Sequence, residues 1–129
     1  MDENLDRIVT SLRRIQTEGD SASNFVIFIA DAEKNYYIQF TSASDASALY
    51  AEAVGNNFLA RECALNSGQI AHLQCLGWNL PTDSPNFFRE WVATDDDDRL
   101  LIAREVMRTF SEVYRISPDR PIAVELEIG

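Results

Sequence analysis

The chain has few of the residues that small proteins use for covalent or metal stabilisation. It contains two cysteines, Cys63 and Cys75, and one histidine, His72, in 129 residues. A structural zinc site needs more cysteine or histidine ligands at short spacing. In a reducing compartment, two cysteines are expected to stay free thiols packed as small hydrophobic groups. We therefore predict no metal, no cofactor and no disulfide framework.

Glycine is also scarce, and with it the motifs that many enzymes need. The five glycines form neither a phosphate-binding loop nor a Gly-x-Ser-x-Gly motif. His72 lies three residues before Cys75, but a reactive cysteine needs an electropositive site, and Arg61 is the one basic residue nearby. We predict that the protein is not an enzyme. A small enzyme that uses carboxylates or the Cys75/His72 pair is the third alternative.

Basic residues are also few, and no apolar run is long. The 11 Lys+Arg face 21 Asp+Glu, which gives a net charge of −10. Nucleic-acid binding needs a basic surface, and an anionic membrane would repel this chain. The longest apolar run, residues 25–30, is far below the roughly 18–20 residues that span a bilayer, and residues 1–6 lack the basic start of an export signal. We expect a cytoplasmic protein without nucleic-acid or membrane partners.

The sequence is otherwise typical of a globular protein. Hydrophobic residues make up 46% of the chain, with seven Phe, four Tyr and two Trp, which argues against disorder. The length suits one domain over residues 1–129, and no repeat or long linker divides it.

Strand-like patterns recur along the chain. Alternation or β-branched and aromatic enrichment predicts strands over residues 24–30, 36–41, 48–54, 86–94 and 122–128. The fourth of these is ambiguous between strand and helix, and its aromatic density favours a strand. The first is apolar on both faces, which is typical of a central strand with both faces covered.

Helical periodicity predicts the remaining elements. Helices are expected over residues 4–17, 67–76 and 97–115, and Asn66 with Gln69 resembles a capping box before the second. The order is therefore α-β-β-β-α-β-α-β. This order predicts an α+β fold in which an antiparallel sheet of about five strands has helices packed on a face.

Four consecutive aspartates, residues 95–98, precede the longest predicted helix. A calcium-binding EF-hand loop needs glycine at its sixth position and glutamate at its twelfth. Counting from Asp95, those positions hold Leu100 and Val106. The run is therefore predicted to cap the helix and complement its positive N-terminal dipole.

Aromatic residues offer the one candidate binding feature. Aromatic side chains fill cores, and when exposed they are common anchors for partners. Either role fits here. The candidate partner-binding residues are Tyr37, Gln39, Tyr50, Trp78, Phe87 and Trp91.

Five short motifs resemble a known family. They are YYIQF at 36–40, GNNFL at 55–59, LGW at 76–78, NFFREW at 86–91 and VY at 113–114. Together they resemble the type III secretion chaperone-like and YbjN-like superfamily, the TY-Chap domains of bacteria, over residues 24–128. The resemblance implies a bacterial α+β domain that is often dimeric and lacks catalytic residues. Such proteins bind extended segments of partner proteins on hydrophobic patches.

These observations favour a non-catalytic protein- or peptide-binding module of chaperone-like or adaptor character. The alternative is an immunity-type acidic inhibitor of a basic toxin, whose surface would mimic the anionic substrate of a nuclease. The partner is left open by the sequence. A homodimer is expected, because a symmetric dimer is the commonest closed assembly.

Overall fold

The computed structural model describes residues 2–20 and 23–129. In this part of the chain, three α-helices and five strands follow the predicted order α-β-β-β-α-β-α-β. They are α1 (Glu3–Thr17), β1 (Asn24–Asp31), β2 (Tyr36–Ser42), β3 (Ala48–Ala53), α2 (Ser67–Cys75), β4 (Phe87–Val92), α3 (Asp96–Glu112) and β5 (Ala123–Glu127). The predicted α+β class is confirmed, and the ambiguous segment 86–94 contains a strand.

The five strands form one antiparallel sheet in the order β4-β3-β2-β1-β5. The first three strands are consecutive neighbours, as in a meander. On the inward face, Phe40 of β2 lies between Val26 of β1 and Ala51 of β3. The two remaining strands then extend the sheet at opposite edges, β4 beside β3 and β5 beside β1.

The core lies between the inward face of the sheet and the helices. Phe28 and Phe40 are fully buried there, with ring centroids 5.8 Å apart in an edge-to-face arrangement. Ile8 and Leu12 of α1 and Phe110 of α3 belong to the same buried cluster. The core is therefore built by period-2 residues of the strands and period-3.6 residues of the helices.

The prediction that both faces of β1 are covered is wrong for the described residues. Val26 and Phe28 point inward and are fully buried. Their neighbours on the opposite face, Ile27 and Ile29, are only half-buried, and Phe25 is 36% exposed. Strand β1 lies inside the sheet, between β2 and β5, and this position explains its apolar residues. The helices, however, pack on one face of the sheet alone.

The helix starts agree with the sequence analysis, and one helix end does not. The Asp95 side chain accepts a hydrogen bond from the Asp98 amide at 2.8 Å, so the aspartate run caps α3. The capping box of Asn66 and Gln69 is present at the start of α2. Helix α3 ends at Glu112 rather than residue 115, since the chain turns through a left-handed conformation at Arg115 (φ 60°).

A buried polar side chain joins three parts of the fold. Gln16 of α1 is 2% exposed, and its Nε2 donates to the carbonyl oxygens of Ala46, Ser47 and Ala93 at 3.2, 3.0 and 3.0 Å. Its Oε1 accepts a bond of 2.8 Å from Nε of Arg99, which is also buried. Gln16 thus satisfies backbone groups before β3 and after β4 and connects them to α3.

Asp31 closes the β1–β2 hairpin with a buried carboxylate. Its oxygens accept hydrogen bonds from the Lys34 amide and from Nη1 of Arg120, both at 3.0 Å. The Lys34 bond, aided by Arg120, lowers the pKa of Asp31 against the opposing effect of burial. The carboxyl group of Asp31 therefore binds a proton less readily in the folded state than in the unfolded chain.

Replacing Asp31 with asparagine is expected to lower the free energy of unfolding by about 1–2 kcal/mol at pH 7, because both partners lose a charged acceptor. The stabilisation from a lowered folded-state pKa is present above the unfolded value and is lost as the pH falls through the folded value. The difference between D31N and the wild type should therefore shrink as the pH falls below about 4, the ordinary pKa of an aspartate. Urea unfolding of both proteins at a series of pH values measures this difference in the free energy of unfolding.

The exposed neighbour Glu33 provides the control for this prediction. A Glu33→Gln variant should keep wild-type stability at every pH tested, since surface substitutions of this kind change stability by about 0.5 kcal/mol at most. A D31N difference that stays constant down to pH 2 would contradict the assigned role of the Asp31 charge.

Candidate functional site

The sheet separates the six predicted binding residues into two groups. Tyr37, Gln39 and Tyr50 point outward, away from the helices, as the strand registers require. Phe87 and Trp91 alternate with outward residues of β4 and therefore point inward. Trp78, which precedes β4, joins the inward group by packing on Trp91.

The inward group connects β4 to α3. Trp78 and Phe87 are each 3% exposed, so little of either is open to a partner in this conformation. The Trp78 and Trp91 rings meet edge to face at 5.7 Å, and Nε1 of Trp78 donates to Oγ1 of Thr109 at 3.2 Å. Trp91 also stacks on Phe40. These aromatic residues occupy core positions, as the core alternative of the sequence analysis allowed.

Sequence reasoning did not identify Arg89, an inward-pointing charge beside these rings. Its guanidinium lies 3.8 Å from the Trp91 ring centroid, and Nη1 donates to the Leu76 carbonyl at 2.9 Å. Burial lowers the pKa of Arg89, and Glu105 partly opposes the shift. Gly77 beside the guanidinium has φ 102°, a conformation that residues with a Cβ rarely adopt, and this favours glycine at position 77.

The outward face of the sheet, formed by the outward-pointing residues of β1 to β5, carries exposed and half-buried apolar residues. Val92 is 66% and Phe25 36% exposed. Tyr50 and Phe88 stack with centroids 6.3 Å apart. The apolar and aromatic members of the face are Phe25, Ile27, Ile29, Tyr37, Tyr50, Phe88 and Val92. Only Tyr37 and Tyr50 were among the predicted residues.

Two shallow depressions lie on the outward face. One, of about 320 Å³, is lined by Ile27, Ile29, Tyr37 and Gln39 among others. The second, of about 470 Å³, includes Tyr50 in its wall. Both are open to solvent, and their shape suits side chains laid across the sheet rather than an enclosed small molecule.

A polar network holds one end of the outward face in place. Glu52 accepts hydrogen bonds from Gln39 at 3.1 Å and from Ser84 at 2.8 Å. Asn86, in the loop before β4, donates to the Tyr37 hydroxyl at 3.3 Å. Tyr37, Gln39 and Glu52 are therefore positioned by their neighbours before any partner binds, which reduces the entropy cost of ordering them.

Among the described residues, His72 shares no hydrogen bond with either cysteine, the pair that the third alternative uses, and its partner is a glutamate. Nε2 of His72 lies 2.9 Å from Oε1 of Glu112, so the imidazole joins α2 to α3. Cys75 is exposed and Cys63 is half-buried, and both are free thiols. In residues 2–20 and 23–129, no group of three or more His, Cys, Asp or Glu side chains is arranged to hold a metal ion.

Membrane insertion through a helix has no support in the described residues. None of the helices there is both long and apolar enough to cross a bilayer.

Comparison with known proteins identifies one relationship. A family model described as "T3SS (YopN, CesT) and YbjN peptide-binding chaperone 3", or TY-Chap3, matches residues 3–125. The match extends over almost the whole chain, including the helix α1 that precedes the predicted resemblance. No curated protein and no solved structure matches the chain.

Proposed function

Since the chain belongs to the TY-Chap3 family of peptide-binding chaperones, we propose that it is a chaperone-like module that binds an extended segment of a partner protein on the outward face. The family is defined by peptide binding rather than catalysis, which agrees with the expectation of a non-enzymatic protein.

The observation that carries this proposal is the set of apolar residues left open on the outward face. Folded soluble proteins rarely expose a contiguous apolar patch, and such patches commonly mark binding sites. Phe25, Ile27 and Ile29 form one row on β1, while Tyr50, Phe88 and Val92 form a second apolar area across β3 and β4. Their side chains contribute little to the core, so a partner explains them better than folding does.

The dimensions of the outward face suit an extended chain. Residues on the same side of a strand are about 6–7 Å apart, and adjacent strands about 4.8 Å apart. The side chains on one side of an extended peptide also repeat every 6–7 Å. Strands β1 and β4 are three strand spacings apart, about 14 Å, so a peptide that crosses the strands can place side chains two repeats apart on the two apolar areas. Tyr37 and Gln39 of β2 lie between the two apolar areas, and together with the Tyr50 hydroxyl they supply hydrogen-bonding groups for the peptide backbone.

The proposal predicts that binding is lost when the outward face is made polar. The probe is fluorescently labelled lysozyme that has been reduced and carboxamidomethylated, which keeps it unfolded. Substitution of Tyr50 and Phe88 by serine removes a stacked aromatic pair. We expect an affinity at least about tenfold lower, because aromatic residues dominate interface energies. Fluorescence anisotropy measures the dissociation constant.

Two further variants complete the experiment. Val92→Ser, at a position that is 66% exposed, also weakens binding but leaves the fold intact, so it tests the face even if the double variant unfolds. Leu101→Ser changes an equally exposed residue (61%) on α3 and should bind as the wild type does. Equal binding by all variants, or a loss in Leu101→Ser alone, would place the site elsewhere.

A further inference from the structure

The charged residues of the outward face all have one sign. Glu52 and Glu90 lie on β3 and β4, and Glu125 and Glu127 lie on β5 at the opposite edge. No lysine or arginine occupies an outward-pointing position on the described strands. Strands β1 and β2 therefore form a middle without outward charge, in which β1 carries Phe25, Ile27 and Ile29, between acidic flanks on β3–β4 and on β5.

The four carboxylates are not neutralised by the protein itself. No arginine, lysine or histidine of the described residues forms an ion pair with any of them. Four arginines of the helices pair instead with other acids, as Arg13 does with Asp96 and Arg108 with Glu112. The cations that would complement the flanks must come from outside.

The chemistry of the partner follows from the free-energy cost of removing water from these carboxylates. A segment that packs on the uncharged middle also removes water from the flanking carboxylates. An uncompensated carboxylate is strongly unfavourable when it is desolvated, whereas one that meets a lysine or arginine is not. Across the whole face, potentials of opposite sign speed association and exclude wrong partners.

We propose that the outward face selects extended segments in which apolar side chains are bracketed by lysine or arginine, and that it rejects acidic segments. This inference rests on the proposed function and specifies its ligand. Glu90 on β4 and Glu127 on β5 lie in one cross-strand row, with Tyr50, Thr41 and Phe25 between them, and are four strand spacings apart, about 19 Å. An extended chain covers that distance in about six residues. A segment crossing the strands therefore carries its basic residues about six positions apart.

A second copy of this chain is a poor occupant of the same face. Face-to-face packing would bring the four glutamates of one protomer against the four of its partner, with no basic residue on either side. Like charges at an interface disfavour the complex. A dimer of this protein, as the sequence analysis expects, would accordingly use another surface.

The test uses three labelled peptides of twelve residues with the same apolar positions. Two positions six residues apart, on either side of the apolar positions, are lysine in the first peptide, serine in the second and glutamate in the third. We expect the lysine peptide to bind at least about tenfold more tightly than the glutamate peptide at low salt. The ratio should fall in 0.5 M NaCl, because salt screens exposed charges.

A matched pair of charge variants locates the effect. The first replaces Glu90, Glu125 and Glu127 with glutamine and keeps Glu52, which belongs to the polar network of the face; it should lose most of the preference for lysine while keeping its affinity for the serine peptide. The second removes the same number of charges elsewhere through Glu62→Gln, Asp97→Asn and Asp119→Asn, at exposed positions. It should keep the preference. If both variants lose it, the net charge of the protein is responsible and the proposal is wrong.

The remaining outcomes separate this inference from the proposed function. Equal binding of the lysine and serine peptides, abolished by Val92→Ser, would overturn the charge selection and leave the peptide-binding face in place. Failure of all three peptides to bind would overturn both. A dimer in sedimentation that is disrupted by Val92→Ser would identify a second copy as the occupant and overturn the proposed ligand.

Discussion

Replacing Phe40 with alanine is expected to lower the free energy of unfolding by about 3–5 kcal/mol, the range for large aromatic side chains in cores. Phe40 is fully buried in the central part of the sheet. It packs edge to face on Phe28 at 5.8 Å and stacks with Trp91 at 5.7 Å. Its neighbour across β3 is Ala51, which is too short to fill the space. The cavity would therefore stay open, and whole proteins are stable by only about 5–15 kcal/mol.

The adjacent residue on the opposite face supplies the control for Phe40. Thr41 points outward and is half-buried, so Thr41→Ala removes a methyl and a hydroxyl without opening the core. We expect a change below about 1 kcal/mol for this substitution. Urea unfolding followed by tryptophan fluorescence measures both, because Trp91 stacks on Phe40. A loss under about 1 kcal/mol in Phe40→Ala would contradict the packing described for the core.

Replacing Gln16 with alanine is expected to cost about 2–4 kcal/mol, although the residue is polar and lies in a helix. The change removes the Gln16 donor from the carbonyl groups of Ala46 and Ala93 and leaves Nε of Arg99 without its acceptor, while the Ser47 carbonyl keeps its bond from the Ala93 amide. Each buried polar group left unsatisfied costs about 1–3 kcal/mol, and more when it is charged. Water that enters the cavity would recover part of this loss.

Gln74 of α2 provides the comparison for Gln16. It is exposed, so Gln74→Ala should change stability by less than about 0.5 kcal/mol. A further variant, Gln16→Glu, keeps the acceptor for Arg99 but cannot donate to the three carbonyls. It should therefore be destabilised by repulsion between oxygens near neutral pH. If Gln16→Ala behaves like Gln74→Ala in chemical denaturation, the network has no net effect on stability.

The fold was predictable because its elements carry strong periodic patterns. The alternation of Tyr36, Ile38 and Phe40 with Tyr37 and Gln39 identified which residues share a face of β2, and the structure confirms that division. The end of α3 was not predictable in the same way. Val113 and Tyr114 are apolar and buried, so they continue the helical stripe although the helix has ended.

The candidate site was only partly predictable, because alternation separates two faces without saying which is covered. On β1 both sets of residues are apolar, and the prediction of two covered faces follows from composition alone. On β4 the inward set includes Arg89, while the outward set includes Phe88. Polarity alone would therefore have placed Arg89 outward and Phe88 inward, the reverse of what the structure shows. Only the packing of the helices on the other face reveals that Phe88 lies on the outward face beside Tyr50.

The register of the sheet also has a consequence for the timing of folding. One edge of β1 pairs with β2 through a short hairpin, whereas the other edge pairs residues near 25 with residues near 127. Contacts between distant parts of a chain form slowly, since the intervening loop must first close. A nascent chain that has emerged as far as β4 would carry β1 with an unpaired edge and incompletely covered apolar residues. Such edges are sites of association with other chains. The interval before β5 arrives is accordingly the period in which this protein is most exposed to aggregation.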